Sequence, residues 1–191
     1  MEIKYIAIFV VAVLSILRLK LARQSATFKE KNKGEIANSW TYSMLLMLYI
    51  VILLSSIIEN YVSVQTLNLI VFVIGLCLYI IGTLGRNIAI KTLGQYWSIH
   101  IEIRKKQSIV QDGPYKYIRH PGYLSLIIET LSLPIMLNAY YSLLIVICLY
   151  IPAVLIRANL EDSEMEKKIG KEYSHYKEKV KAFIPKIFLF F

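Results

Sequence analysis

Residues 67–84 read LNLIVFVIGLCLYIIGTL, a stretch without a single charged side chain. A helix that crosses the hydrocarbon core of a membrane needs about 20 mostly apolar residues. With its flanking residues, this stretch predicts a membrane-spanning helix over 64–84. The whole chain agrees with that class, because 57% of its 191 residues are hydrophobic and only 18% are charged, whereas soluble domains carry about 25% charged residues.

Other apolar runs extend the same interpretation to most of the chain. The run at 124–156 is too long for one helix, and the polar residues at 138–141 interrupt it, so we interpret it as a tight hairpin of two helices. The sequence therefore predicts an all-α integral membrane protein with about five transmembrane helices. The further spans are expected at 3–19, 40–58, 124–137 and 142–156.

The distribution of basic residues supports this count. Of the 22 Lys and Arg residues, 21 lie in the three segments 18–33, 86–119 and 157–186. Because cytoplasmic loops carry an excess of Lys and Arg, a five-helix chain with its N-terminus outside places all three segments in the cytosol. The net charge of +9 then reflects topology and contact with anionic lipids, and nucleic acid is not expected as a partner.

Polar residues between the spans divide the chain into two regions. Residues 1–84 hold three spans, and 85–191 hold the hairpin together with two polar segments, 85–123 and 157–186. We expect these two segments to form a single cytosolic pocket, built from the loop before the hairpin and a C-terminal helix. In that helix we expect an ion pair between Glu164 and Lys168, an interruption at Gly170 and an end at Pro185.

Residues 113–123, GPYKYIRHPGY, combine two turn signals with three tyrosines, an arginine and a histidine at a membrane entry. This composition is typical of a functional site rather than of an apolar core. Glu129 is also unusual, because a carboxylate inside a membrane helix is costly and is a functional hypothesis by default. It could act as a general base, contact a polar group of a substrate, pair with Arg157 or Arg86, or be a protonated or snorkelling carboxyl group near the helix end.

These motifs carry a resemblance that covers residues 82–185. LGQYWS at 93–98, the turn at 113–115, RHPGY at 119–123, Arg157 four residues before Glu161, and GKEYSHY at 170–176 resemble the isoprenylcysteine carboxyl methyltransferase family and its phospholipid methyltransferase relatives. The resemblance implies a multi-pass membrane enzyme that uses S-adenosyl-L-methionine as its cofactor and whose active site faces the cytosol.

The resemblance also implies site residues. Arg157 falls where the family contacts its substrate, and we predict Arg157 and Glu129 as catalytic residues. Two departures are Asp162, where the family usually has Glu, and Gln107, where it often has His. The implied cofactor-binding residues are Glu102, Gln107, Ser108, Ile109, Val110, Tyr115, His120, Pro121, Gly122, Tyr123 and Glu161.

The chemistry of methyl transfer suits these residues. A carboxylate acceptor is ionised near pH 7 and needs no base, and an arginine can hold it by two parallel hydrogen bonds. We therefore expect carboxyl O-methylation of the isoprenylcysteine type, with a lipophilic or prenylated acceptor entering from the bilayer. The alternatives are methylation of a phenolic, polyketide-type or aminophospholipid acceptor, an NADPH-dependent membrane reductase of the sterol type, and a non-enzymatic membrane scaffold. No metal is expected, and the sequence does not indicate an oligomeric state.

Overall fold

The computed structural model describes residues 2–27, 34–63, 66–103 and 108–185. In these ranges the chain is mostly helical. Short 3-10 turns lie at Gly94–Tyr96 and Gly113–Lys116, and a π-helical turn, Val146–Tyr150, joins α5 to α6. The elements are α1 (Glu2–Thr27), β1 (Glu35–Ala37), α2 (Trp40–Val62), α3 (Leu69–Leu93), β2 (Ile101–Ile103), α4 (Pro121–Met136), α5 (Tyr140–Ile145), α6 (Ile151–Ile169) and α7 (Lys171–Lys179).

Three helical segments of the described chain are long and apolar enough to cross a membrane: Trp40–Val62, Leu69–Tyr96 and Tyr140–Ile169. Helix α4 is apolar but shorter, and α1 is not one of these three segments. The chain is therefore an integral membrane protein by length and composition, whereas five spans remain a proposal. Helices occur at every predicted span, and the last one continues past residue 156 into the polar C-terminal segment.

The π-helical turn in the long C-terminal segment has a local cause. Pro152 cannot donate a backbone hydrogen bond, and its ring crowds the carbonyl four residues earlier. The widened π-helical turn Val146–Tyr150 lies directly before it. The predicted hairpin is found between α4 and α5, where Asn138 has a positive φ of 54°.

Helices α3 and α4 approach closely because glycines line the contact. A Cβ atom added at Gly82 would lie 2.9 Å from the backbone nitrogen of Glu129, and one at Gly75 would lie 2.7 Å from that of Met136. Both distances are shorter than a van der Waals contact. The glycines of the stretch at 67–84 thus let α4 pack into the centre of the bundle, where Leu133 and Met136 are fully buried.

We predict that Gly82→Ala destabilises the protein. The added methyl group must displace the backbone of α4, and overpacking of this kind costs about 1–3 kcal/mol, more than the gain of up to about 1 kcal/mol in helix propensity. Thermal unfolding in detergent, followed by fluorescence, measures the change. Cys77→Val, which enlarges an exposed side chain of the same helix, is the control and leaves the midpoint unchanged. An equal midpoint for Gly82→Ala and the wild type would contradict the close approach.

The end of the bundle that carries the Lys- and Arg-rich segments 86–119 and 157–186 is called the basic end. There the chain forms a small sheet that the all-α prediction missed. Strands β1 and β2 pair antiparallel, with Glu35 opposite Ile103 and Ala37 opposite Ile101. A parallel bridge also joins Ile118 to Lys181. Three-residue strands leave no hydropathy period to read, so pairing between loops cannot be predicted from the sequence. The sheet joins the segment after α1 to the segment after α3.

The C-terminal helical region follows the prediction with two corrections. Gly170 separates α6 from α7 with a φ of 74°, as expected. However, α7 ends at Lys179 rather than at Pro185, because the chain turns there to bridge with Ile118. The predicted Glu164–Lys168 pair is wrong. Lys167 binds Glu164 at 2.7 Å, which is the other neighbouring position on a helix, and Lys168 binds Glu35 of β1 instead.

Candidate active site

A cavity of about 260 Å³ opens among the helices at the basic end of the bundle. Helices α1 and α2 contribute to its lining, so the site is not confined to the predicted region 85–191. Pro121 and Glu129 do not line it, and Gln107 lies outside the described residues. The predicted site residues that do line it are Glu102, Ser108, Ile109, Val110, Tyr115, His120, Gly122, Tyr123, Arg157 and Glu161.

A chain of hydrogen bonds connects three of these side chains across the cavity. Arg157 of α6 donates from Nε to the Tyr123 hydroxyl at 2.9 Å, and that hydroxyl donates to Glu161 Oε2 at 2.5 Å. Glu161 lies one helical turn after Arg157 on the same face of α6. The tyrosine of α4 therefore joins a positive and a negative group of α6 without neutralising either of them directly.

Two further contacts fix the Arg157 guanidinium, which is only 4% exposed. Its Nη1 donates to Thr41 Oγ1 at 2.8 Å, and its Nη2 donates to the Ile99 carbonyl at 2.5 Å. Thr41 in turn donates its hydroxyl to the Asn38 carbonyl. A buried charge needs such partners because an unsatisfied one is very costly. Thr41 was not predicted, since its partner lies 116 residues away.

Asp162, the residue after Glu161, is the centre of a second network. Its carboxylate accepts hydrogen bonds from Arg119 Nη2 at 2.8 Å and from the Tyr173 hydroxyl at 2.5 Å, and it contacts His120 Nε2 at 3.0 Å. Burial, and next the Asp162 charge, raise the pKa of Tyr173 well above that of a free phenol, so Tyr173 keeps the proton it donates. The sequence showed Asp162 only as a departure from a family pattern.

This network changes the interpretation of His120. Its ring lines the cavity and stacks on Tyr123 with 5.4 Å between ring centroids. However, Nε2 contacts Asp162, so that atom is not available to bind a ligand. His120 can offer a ligand its ring face and edge, and it also connects the start of α4 to α6.

Arg119 joins the start of α4 to the end of α7. Its Nη1 donates to the carbonyls of Lys177 and Val180, and its backbone nitrogen donates to the Lys181 carbonyl at 2.9 Å. Basic side chains favour the C-terminal ends of helices because they satisfy the last carbonyls there. The RHPGY motif is therefore partly structural, since it fixes α7 over the cavity.

Two buried tyrosines connect α7 to the turn before α4. The Tyr176 hydroxyl donates to the Tyr115 carbonyl at 2.7 Å. Burial raises the pKa of Tyr176 to about 12 and that of Tyr115 further still. Both phenols are therefore neutral near pH 7, and Tyr115 presents an uncharged aromatic ring to the cavity.

The loops of the basic end complete the lining. Ser108 donates to the Tyr96 hydroxyl at 3.0 Å, and Glu102 accepts from the backbone nitrogen of Gly34 at 2.5 Å. This second contact ties the sheet segment to the segment that precedes β1. Ile109 and Val110 follow Ser108 along the cavity wall, so the predicted loop does face the site.

Glu129 lies behind the cavity wall and is completely buried. Its Oε1 is 2.9 Å from Arg86 Nε, and its Oε2 is 3.2 Å from Arg18 Nε. The predicted partner Arg86 is confirmed, Arg157 is wrong as a partner, and Arg18 was missed. Arg18 and Arg86, the two partners of Glu129, both line the cavity. The proposed pairing with Arg157 fails because Arg157 is fixed by Tyr123, Thr41 and Ile99 nearer the start of α4.

A family model described as isoprenylcysteine carboxyl methyltransferase (ICMT) matches residues 72–167, which is half of the chain. The chain belongs to this family. The match contains α4, most of α6 and every predicted site residue, but it ends before α7. The predicted resemblance to this family is thereby confirmed, and the match covers its residues 82–167 but not the motif at 170–176.

Relatives of this family member come from bacteria and eukaryotes. The uncharacterized protein YpbQ of Bacillus subtilis is 34% identical over 88 residues, covering 45% of this chain and 48% of the relative. The protein-S-isoprenylcysteine O-methyltransferase of Saccharomyces cerevisiae is 34% identical over 116 residues, covering 59% of this chain and 48% of the relative. The chain thus aligns with about half the length of these relatives.

The fold is also similar to that of a solved structure. The eukaryotic intramembrane Ras methyltransferase ICMT superposes with a TM-score of 0.58 and 23% sequence identity, over 78% of this chain and 54% of that chain. At this identity the likeness concerns the fold alone. The family member described here thus shares the fold of about half of that structure.

We predict that Asp162→Asn destabilises the protein strongly. The substitution leaves the buried Arg119 without its anion, and breaking a buried ion pair on one side costs on the order of 3 kcal/mol. Thermal unfolding in detergent measures the effect. Glu164→Gln, on the same helix but in a pair with the exposed Lys167, is the matched control and changes stability by less than about 1 kcal/mol. Equal effects of the two substitutions would show that Asp162 does not organise this end of the bundle.

Proposed function

We propose that this protein is an S-adenosyl-L-methionine-dependent membrane methyltransferase that acts on a lipophilic acceptor, with isoprenylcysteine-type carboxyl O-methylation as the favoured reaction. The observation that carries the proposal is the hydrogen-bond chain from Arg157 through Tyr123 to Glu161. It lies inside the segment that the family model matches. It also places an anion-binding group and a cation-binding group in one cavity, as transfer from a cationic donor to an anionic acceptor requires.

The residues of the cavity fit this cofactor. S-adenosyl-L-methionine carries a positive sulfonium and an ammonium group, and Glu161 and Glu102 supply negative charge on the wall. Ser108 and the backbone of Ile109 and Val110 offer hydrogen-bonding groups suited to an adenine edge. Tyr115 and His120 offer aromatic faces, and Gly122 leaves room beside them. We infer that these residues hold the cofactor, with Pro121 fixing the start of α4 from outside the cavity.

The cofactor would supply an electrophilic methyl group. In this proposal Arg157 holds the acceptor carboxylate, and the arginine is itself oriented by Tyr123, Thr41 and the Ile99 carbonyl. A carboxylate is already ionised near neutral pH, so no residue has to remove a proton. The aromatic and apolar wall excludes water and keeps the reactants aligned, which is the main contribution that a protein can make to a direct displacement.

Glu129 fits a positioning role better than the catalytic role predicted from the sequence. It is fully buried, lies behind the cavity wall and contacts two guanidinium groups. Its two carboxylate oxygens lie 2.9 Å from Arg86 Nε and 3.2 Å from Arg18 Nε, so they face these arginines rather than an acceptor in the cavity. We propose that Glu129 orients Arg18 and Arg86, whereas Arg157 remains the proposed catalytic residue.

The proposed arrangement in the membrane follows the charge distribution. Five spans with the N-terminus outside place the cavity, the sheet and α7 in the cytosol. The cofactor enters from that side, and the acceptor enters from the bilayer between helices. Exposed apolar side chains along α2 and α3, such as Leu54, Ile70 and Ile81, would contact lipid. Residues 1–84 then form a scaffold that also lends side chains to the catalytic region at 85–191.

We predict micromolar binding of S-adenosylhomocysteine to the purified protein, measured by calorimetric titration. Glu161→Gln removes the negative charge that faces the cofactor, and hydrogen bonds to charged groups contribute about 1.5–3 kcal/mol, so binding weakens at least about tenfold. Glu164→Gln, one turn along the same helix, is the control and binds like the wild type. Folded wild-type protein that binds NADPH but not S-adenosylhomocysteine would overturn the proposal in favour of a reductase.

A further inference from the structure

The inner end of the cavity contains two arginines and one carboxylate. Arg18 and Arg86 line the cavity, while Glu129 lies between them behind the wall. The three groups together carry one net positive charge. They are well shielded, because the side chains of Arg18, Arg86 and Glu129 are 9%, 11% and 0% exposed.

This cluster lies deeper in the bundle than Arg157. Glu129 follows Tyr123 by six residues on α4, and Tyr49 follows Thr41 by eight residues on α2, which is about 9 Å and 12 Å along the two helices. The centroid of the Tyr49 ring lies 4.0 Å from the guanidinium carbon of Arg18. The cluster is thus separate from the chain that joins Arg157 to Glu161, yet both border the same cavity.

The cluster also has unused hydrogen-bonding capacity. Within the described residues, two buried donors of the cluster, Arg18 Nη1 and the Tyr49 hydroxyl, lack a hydrogen-bond partner. Glu129 Oε2 also lacks one, although it lies 3.2 Å from Arg18 Nε. Buried polar groups are normally satisfied, and each exception calls for an explanation. Arg18 and Tyr49 themselves line the cavity, so a ligand there would lie beside these buried donors.

The charge restricts the chemistry of that ligand. A buried net positive charge is costly unless an anion accompanies it. An apolar tail would leave the one net positive charge uncompensated, and an amine would add a like charge. A carboxylate or phosphate, in contrast, can accept two parallel N–H hydrogen bonds from one guanidinium group.

We propose that Arg18 and Arg86 form an anion-binding subsite for an acidic group of the acceptor, separate from the group held at Arg157. This inference rests on the proposed methyltransferase function and deepens it. The acceptor is then a lipid with an acidic oxygen group, a carboxylate or a phosphate, in addition to the oxygen that receives the methyl group. Glu129 keeps the two arginines in place while leaving one positive charge for the ligand.

Equilibrium binding of single-chain probes tests the subsite. The probes are radiolabelled tetradecanoate, tetradecyl phosphate and tetradecanol, and the protein is the full chain in phosphatidylcholine nanodiscs, with empty nanodiscs as the blank. The Arg157→Gln background removes the other anion-binding group. There we expect at least one acid to bind about tenfold or more tightly than the alcohol, as a charge-assisted contact implies, and the better acid identifies the headgroup.

Substitution of Arg86 then tests whether the cluster causes the preference for acids over the alcohol. Arg86→Gln reduces the acid-to-alcohol ratio to near one, whereas Lys91→Gln, an exposed residue on the same helix, leaves it unchanged. Glu129→Gln removes the competing anion and raises the ratio, so it tests the proposal even if Arg86→Gln does not fold. If Arg157→Gln does not fold, the same substitutions are compared in the wild-type background. A ratio near one before any substitution at Arg86, or a ratio that Arg86→Gln does not change, overturns the subsite.

Titration of the same samples with S-adenosylhomocysteine separates the two proposals. Binding of this cofactor analogue with no preference for acids overturns the subsite and leaves the methyltransferase proposal standing. A preference for acids that depends on Arg86, without binding of the analogue, overturns the methyltransferase proposal and leaves an acidic-lipid site.

Discussion

The buried guanidinium of Arg157 is the constraint on which the rest of the site depends. A positive charge that is 4% exposed within a helical bundle must be surrounded by hydrogen-bond acceptors, or it destabilises the fold. The protein supplies Tyr123 from α4, Thr41 from α2 and the Ile99 carbonyl from the segment before β2. These partners fix the relative positions of three helices and the loop, and so they define the cavity.

The polar groups around the cavity are separated by charge. Near the loops, Glu161 and Glu102 provide negative charge, while Asp162 is neutralised by Arg119 within the wall. Arg157 lies between this acidic end and the deeper arginines held by Glu129. A cationic cofactor and an anionic acceptor would each find the opposite charge at their own end. Methyl transfer removes the negative charge of the accepting oxygen and the positive charge of the sulfonium, so each product would be attracted less strongly than its reactant, which favours release.

The sequence predicted the helices and the site motif at 119–123, but not the side-chain partners that are distant along the chain. Uncharged runs such as residues 67–84 determine where helices form, and the local motif at 119–123 marks the site, since both signals are contiguous in the chain. The contact between Arg157 and Thr41 spans 116 residues, and that between Glu129 and Arg18 joins two different helices. No local pattern encodes such pairs. Asp162 and Thr41 were missed for this reason. Glu129 was predicted to be catalytic because its two arginine partners could not both be identified from the sequence.

Transfer of a tritiated methyl group in membranes that contain the protein tests the central role of Arg157 most directly. Labelled S-adenosyl-L-methionine is supplied, lipophilic products are extracted, and alkali releases volatile methanol only from methyl esters, so the acceptor need not be known beforehand. Lysine cannot reproduce the paired donors of arginine. The account therefore predicts alkali-labile labelling by the wild type and a loss of about 100-fold or more for Arg157→Lys, while S-adenosylhomocysteine affinity is retained. Undiminished labelling by Arg157→Lys would contradict it.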